Sequence, residues 1–564
     1  MVSPFIILRT CAAIVALLPS SASAAKVLHA KASLAISNGP VSPDGIERIG
    51  VLVNNEFPSP MIKATKGDKF RLEVLDRLSS LVDPNMYIAT SIHWHGFYQR
   101  GTNYADGVAY VTQCPLMPGE KFTYKFSTDD NQAGTYWYHS HFDLQYCDGL
   151  RGTLVVYDPD DPYKDHYDVD DESTVLTLAD WYHSGARTQP GGGPFVADST
   201  LFNGKGRSVK DLTAPLAKIN VEHGKRYRFR LISLACEPNY KFSIDGHNLT
   251  IIEADGQLTE PLMVNEIQIL PGQRYSFILN ATQPKDNYWM RAVPNVALHG
   301  TNDVEANFTG GLNSAILHYN GASHHEPHTH APHDKVPLRE PELHALVDPA
   351  APGTPGYGVD VQSVNLTLGF DGVLFNVNGH NFHGPDGMMK PYLLQILSGA
   401  QSASDLLPQE SIIDIKRGSV VEITLIPDMS GMTGSPHPMH LHGHSFSVVR
   451  SAGSEEFNYK NPVRRDVVNT GTDSKGPGAG AVIRFVADNP GPWFLHCHID
   501  PHLQGGLAVV LAEGVDSAAA ANPPPPDWQQ LCPVWNTFFG AFHRPLGGPM
   551  AEMLNNATLD SDMQ

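Results

Sequence analysis

One pattern recurs three times along this 564-residue chain, and it limits the architecture more than any other feature. The segments KATKGDKFRLEVLDRL (63–78), INVEHGKRYRFRLISL (219–234) and IDIKRGSVVEITLIPD (413–428) each set a Gly in a charged or polar turn ahead of an alternating apolar strand. HWHGF (93–97), DGHNL (245–249) and HLHGH (440–444) follow. A second Gly turn opens another strand in PGEKFTYKF (118–126), PGQRYSFIL (271–279) and GAGAVIRFV (478–486). An aromatic segment closes each unit: TYWYHSH (135–141), NYWMRA (287–292) and PWFLHCH (492–498). Three copies of a unit made of short strands between Gly, Pro and Asn turns predict an all-β chain of three consecutive β-sandwiches.

Boundaries are expected at the acidic YDPDDPYKD stretch (157–165) and in the His/Pro-rich segment 318–352, giving domains at 25–160, 161–345 and 346–564. Ahead of them, residues 1–24 place an apolar run before Ala22-Ser23-Ala24, the pattern of a cleaved secretory signal, so a secreted chain beginning near Ala25 is expected. The remaining stretches are too short in apolar residues to span a bilayer, so no membrane attachment is expected after cleavage. Sequons at Asn248, Asn280, Asn307, Asn365 and Asn556 fit a glycosylating route. The formal charge is 39 − 59 = −20 and no basic tract occurs, which argues against nucleic acid as a partner.

His-x-His occurs four times: His93/His95, His139/His141, His440/His442 and His496/His498. Side chains two apart on a strand share a face, so each pair presents two imidazoles together. The pairs occupy matching places in the first and third repeats and are missing from the second. The chemistry is therefore expected between the outer domains, with the middle one as spacer or platform. Eight imidazoles from two domains suit a cluster of several borderline-soft ions, copper being favoured by such donors. His444 continues the alternation of His440 and His442, and alignment of HLHG with HWHG makes it a packing or supporting residue. The tract HYNGASHHEPHTHAPH (318–333) reads as a solvated linker.

Cys497 lies between His496 and His498 and would point to the opposite strand face. With His437 upstream and His502 downstream it supplies the Cys plus two His of a blue-copper centre. Leu507, ten residues after the Cys, stands where an axial Met is usual, and an apolar neighbour there raises the reduction potential. Cys11 leaves with the signal, so Cys114, Cys147, Cys236 and Cys532 remain for two disulfides, with three connectivities open. Structural zinc needs only four ligands and a two-metal hydrolase needs carboxylates, so eleven Cys/His donors favour electron transfer.

The motifs HWHG, WYHSH, HPMHLHGH and HCHIDPHLQGGL resemble the four signatures of the multicopper oxidases. GTNYADG (101–107), QYCDGLRGTLVVYDP (145–159), TLFNGKGRS (200–208) and SFSVVRSAG (446–453) carry the resemblance to secreted fungal laccases in particular. It covers the mature chain. The resemblance implies cupredoxin-like Greek-key domains and four copper ions. It places type 1 on His437, Cys497 and His502, type 2 on His93 and His440, and the type 3 pair on His95, His139, His141, His442, His496 and His498. It also implies the disulfides Cys114–Cys532 and Cys147–Cys236, a substrate-pocket carboxylate at Glu237, and proton delivery assisted by Asp106. Pro501 departs from the family pattern by fixing φ and removing a donor just before His502.

The activity expected from the resemblance is one-electron oxidation of small phenols and aromatic amines near His502. Electrons would pass through Cys497, and O2 would be reduced to two waters by a monomer. An oxidase of Fe(II) or Mn(II) is the alternative, needing a carboxylate cluster where Glu237 stands alone. A copper storage protein is a further one, although storage needs no Cys-His electron route.

Overall fold

The computed structural model describes residues 27–542 except 129–131, 190–194, 296–306, 383–389, 429–435, 473–475 and 477. The expected signal (1–24) and Asn556 lie outside the described residues. The strands form six sheets, which pair into three sandwiches.

In the first sandwich a five-stranded sheet runs Leu28–His29, Ser59–Thr65, Arg151–Tyr157, Gly134–Ser140, Ile92–His95, against a four-stranded sheet of Arg48–Val53, Lys31–Val41, Lys69–Asp76 and Lys121–Ser127. The second (strands from Val175 to Tyr319) and third (Gln362 to Glu513) each pair a six-stranded with a five-stranded sheet. The repeat explains this locally. Gly67, Gly224 and Gly418 turn the chain at φ of +89°, +92° and +78°, a region that costs other residues a clash between Cβ and backbone. In the strand that follows the first of these, Phe70, Leu72 and Val74 alternate inward.

Two histidine-bearing strand pairs lie in register. His93 lies opposite His139 in the first sandwich, and His440 opposite His496 in the third. The second and third sandwiches share one continuous apolar cluster, while the first has its own. Two covalent ties lock the arrangement. Cys147–Cys236 joins the first sandwich to the second, and Cys114–Cys532 ties the C-terminal helix Leu531–Phe542 to the first. That helix packs on the first sandwich. Cys532 and Trp535 enter the first core, and Trp528 Nε1 donates to Thr112 O at 3.1 Å.

The His-rich tract is only partly the linker its composition suggests. His318 is buried in the strand Ser314–Tyr319, where its Nδ1 donates to Asn287 Oδ1 at 2.6 Å, whereas His324, His325, His328, His330 and His333 are exposed. A buried hydrogen bond between neighbouring strands fixes the first ring where solvated composition gave no sign of a strand.

Candidate metal centre

Eight imidazoles converge where the first and third sandwiches meet. Donor atoms of His93, His440 and His442 lie within 4.8 Å of one another, as do those of His93, His95 and His139, and of His141, His442 and His496. His498 joins them, its ring 5.0 Å from His95 and 5.3 Å from His139. All eight are buried.

Most of these rings are held at one nitrogen by an acceptor, which leaves the other free. His93 Nδ1 donates to Asp106 O at 2.8 Å, His139 Nδ1 to Ser140 O at 2.8 Å, His440 Nδ1 to Asp466 O at 2.9 Å and His496 Nδ1 to Cys497 O at 2.9 Å. His442 Nδ1 donates to Asp106 Oδ2 at 2.9 Å. His95 is reversed: its Nε2 meets Asp466 Oδ1 at 3.2 Å. The opposite nitrogens, Nε2 of His93, His139, His440 and His498 and Nδ1 of His95, are buried with no partner. A buried unsatisfied nitrogen costs about 1–3 kcal/mol, so five facing one another call for a shared electrophile. Burial and mutual repulsion hold His95, His139, His141, His440, His442 and His498 far below the usual histidine pKa. Burial, helped by His93, takes His496 down to about 3. These rings are neutral at ordinary pH, the state that ligates metal.

The second site lies on the other face of the same strand. Cys497 Sγ is 3.5 Å from His437 Nδ1 and 3.7 Å from His502 Nδ1, and the two nitrogens are 3.1 Å apart. Burial pushes the Cys497 thiol well up and takes His437 down to about 4. A soft thiolate with two imidazoles in this triangle is a donor set for copper. Cys497 N donates to Leu507 O at 3.0 Å, so the loop after His502 returns against the cysteine, and the Leu507 side chain is fully buried in the same apolar cluster. Pro501 sits where a helix tolerates proline. It lies in the first turn of the short helix Asp500–Gln504, where its missing N–H removes no helical bond.

His502 shows only 12% of its side chain, a narrower edge than an open imidazole. Phe375 covers one face at 4.2 Å. Glu237 is 2% exposed, its Oε1 4.0 Å from His502 Nε2 and its Oε2 accepting from Phe195 N at 3.4 Å. Burial raises its carboxyl pKa to about 8. His444 takes no part in either site: its Nε2 pairs with Glu513 Oε2 at 2.8 Å and its ring packs on Phe485.

Sequence reasoning missed Asp466, which touches His95 and His440 and carries no motif of its own. Trp137, whose ring stacks on His139 at 4.2 Å, was legible only as part of WYHSH.

The chain is similar to known proteins along most of its length. Three multicopper oxidase family models match residues 35–161, 172–322 and 386–517. The chain is 54% identical over 505 residues to Laccase-2 of Trametes versicolor, covering 90% of this chain and 94% of the relative. It is 52% identical over 505 residues to the laccase of Pycnoporus cinnabarinus, with 90% and 94% covered. Among solved structures, the laccase from Botrytis aclada superposes with TM-score 0.75 at 29% identity, covering 92% of this chain and 94% of that one. Fet3p, a multicopper oxidase that functions in iron import, gives 0.75 at 26% identity, covering 90% and 95%.

Proposed function

The chain belongs to the multicopper oxidases and is a laccase-type enzyme that reduces O2, and from that premise we propose which residues do what and on which donors. We assign His437, Cys497 and His502 to type 1 copper, His93 and His440 to type 2, and His95, His139, His141, His442, His496 and His498 to the type 3 pair. Four copper ions bound there would accept electrons one at a time and return four of them to O2, yielding two waters.

The observation that carries this reading is the Cys497 tripeptide. Cys497 Sγ faces His437 and His502, while its chain neighbours His496 and His498 belong to the imidazole cluster. A few covalent bonds thus link the two sites, and the register of His496 opposite His440 keeps that link rigid. The unpartnered nitrogens supply the donors for the remaining ions.

Small phenols and aromatic amines are the proposed donors, approaching the exposed edge of His502. A phenol there would direct its O–H toward Glu237, whose carboxylate, mostly ionised only above about pH 8, takes the proton as the electron leaves. Removing an electron makes a phenol strongly acidic, and a buried carboxylate is a strong acceptor once ionised. Asp106 fixes His442 and His93, and is proposed to assist proton delivery at the oxygen site. An oxidase of Fe(II) needs several carboxylates beside the type 1 site. Among the described residues Glu237 is the one carboxylate within 4.0 Å of a His502 ring nitrogen.

Oxygen uptake with a phenol and with Fe(II), on wild type and Glu237→Ala, tests this. Phenol should be the faster donor, and the variant should lose about 10²–10⁴-fold in kcat/KM for phenols and far less for a donor without a proton to give. A preference for Fe(II) overturns the substrate class; equal losses for both donors overturn the proton-acceptor role.

The division at 160 and 345, the cleaved signal, secretion and glycosylation belong to the same reading. Asn248, Asn280, Asn307 and Asn365 are all exposed, which supports glycan attachment. All eleven donors come from one chain, which supports a working monomer. No helix among the described residues is long and apolar enough to cross a membrane.

A further inference from the structure

The second sandwich carries no copper ligand, yet one of its turns, Pro271-Gly272-Gln273-Arg274, lies against the imidazole cluster. A Cβ at Gly272 would come within 2.9 Å of His498 Cδ2 and 3.1 Å of His95 Cε1. Gln273 Nε2 donates to Val467 O at 3.1 Å. Arg274, fully buried, donates from Nη1 and Nη2 to the two oxygens of Asp466 at 2.6 and 2.7 Å, and from Nε to Thr135 O at 3.0 Å. Asp466 in turn meets His95 Nε2 through Oδ1 and His440 Nδ1 through its main-chain oxygen. One guanidinium of the second sandwich therefore reaches a ligand strand of the first and a ligand-holding carboxylate of the third.

The surroundings reinforce it. Arg274 N donates to Asp255 Oδ1 at 2.7 Å, and Asp255 Oδ2 accepts from Arg465 Nε at 2.9 Å. Glu253 Oε1 accepts from Thr135 N at 2.7 Å, four residues before His139. The matching turn of the first repeat, Pro118-Gly119-Glu120-Lys121, does none of this. A Cβ at Gly119 would meet nothing within 4 Å, and Lys121, with its side chain 65% exposed, pairs with Glu73 on the surface.

We propose that the turn 271–274 is a built wall of the oxygen-reducing site and that Arg274 is its positioning residue, clamping Asp466 so that His95 keeps Nδ1 for metal and His440 keeps Nε2. The inference rests on the assignment of the eight histidines given above. The physical reason is that the ligating nitrogen of an imidazole is set by the hydrogen bond its other nitrogen makes. A bidentate Arg–carboxylate pair fixes the plane of that carboxylate, which a Lys point charge cannot do.

The test uses the copper-loaded full-length enzyme with Arg274→Met, Arg274→Lys and Gly272→Ala. Copper per protein, the type 2 and type 3 spectroscopic signatures, the blue type 1 absorption, reoxidation of the reduced protein by O2, and Tm are measured on each. The blue band should be unchanged, since no atom of the turn touches His437, Cys497 or His502. Type 2 copper should be lost or its EPR hyperfine splitting altered, and reoxidation should slow at least about tenfold, with Lys intermediate. Should the Met variant fail to fold, Arg274→Lys carries the test of the clamp, since it keeps the charge and loses the bidentate pair, and Gly272→Ala tests the wall alone. It leaves the Arg274–Asp466 pair in place and presses a methyl on His95 and His498, so altered type 3 signatures are expected. Variants that keep full copper, wild-type signatures and wild-type reoxidation while only Tm falls overturn the proposal. A wild type that shows no trinuclear signature overturns the ligand assignment itself.

Discussion

Replacing Asp106 by Ala removes one carboxylate from between two ligand imidazoles, and the structure gives the two losses unequal weight. His93 Nδ1 keeps its bond to the main-chain oxygen of residue 106, at 2.8 Å. His442 Nδ1 loses its acceptor Oδ2, at 2.9 Å in a fully buried place. One ring is thus freed to turn, and its Nε2 sits 3.0 Å from His496 Nε2, so the disturbance reaches a second ligand. Loss of such a supporting acceptor lowers metal affinity about 10–100-fold, or about 1.4–2.8 kcal/mol at 1.4 kcal/mol per tenfold. Copper retention against a graded chelator measures this directly, with the blue absorption as internal control, because the type 1 donors do not touch Asp106. Asp106→Asn separates orientation from proton delivery. Its amide oxygen can keep the bond to His442 while its charge is gone, so copper should be retained and any slowing of O2 reduction reports proton transfer. An Ala variant that holds trinuclear copper as tightly as wild type refutes the orienting role. An Asn variant with unchanged O2 reduction refutes proton delivery.

Cys497→Ser should abolish the blue thiolate absorption and nearly all phenol oxidation while the other coppers still bind; visible spectra with metal analysis decide, and a variant that stays blue is incompatible with the type 1 assignment. Leu507→Met should lower the type 1 potential, because a thioether lone pair stabilises Cu(II) over Cu(I), and a redox titration showing no fall would place Leu507 off the axis. Asp76 is fully buried, accepts only from Leu78 N through Oδ1, and burial raises its pKa to about 8. Its folded pKa lies above the unfolded value of about 3.9, so stability is full below pH ~4 and falls at up to ~1.4 kcal/mol per pH unit until about pH 8. Asp76→Asn should therefore raise Tm relative to wild type more at pH 7 than at pH 4, and a pH-independent difference would contradict the linkage.

The three sandwiches and the convergence of the paired histidines were legible in the sequence for one shared reason. Strand geometry repeats every two residues, so His-x-His written on a strand already states that two rings share a face, and the Gly of each repeat states where the strand begins. What remained hidden lies across long separations. Arg274 meets Asp466 at 192 residues' distance and Asp466 meets His95 at 371, contacts that no local period encodes. The one available signal was the repeat itself: PGQR and PGEK are the same turn, but only docking against the outer domains turns Gly272 and Arg274 inward. The middle domain's loss of histidines suggested a platform, and local pattern said nothing of which turn would face the cluster. The C-terminal helix escaped for a similar reason, since its place is set by Cys114, 418 residues earlier.

The central claim, that electrons enter singly at the Cys497 site and leave four at a time at the histidine cluster, is tested most directly by counting. Phenol oxidised and O2 consumed are followed together in one closed vessel with a peroxide probe present. The account predicts four one-electron phenol oxidations per O2 and no hydrogen peroxide; two per O2 with peroxide released would contradict it.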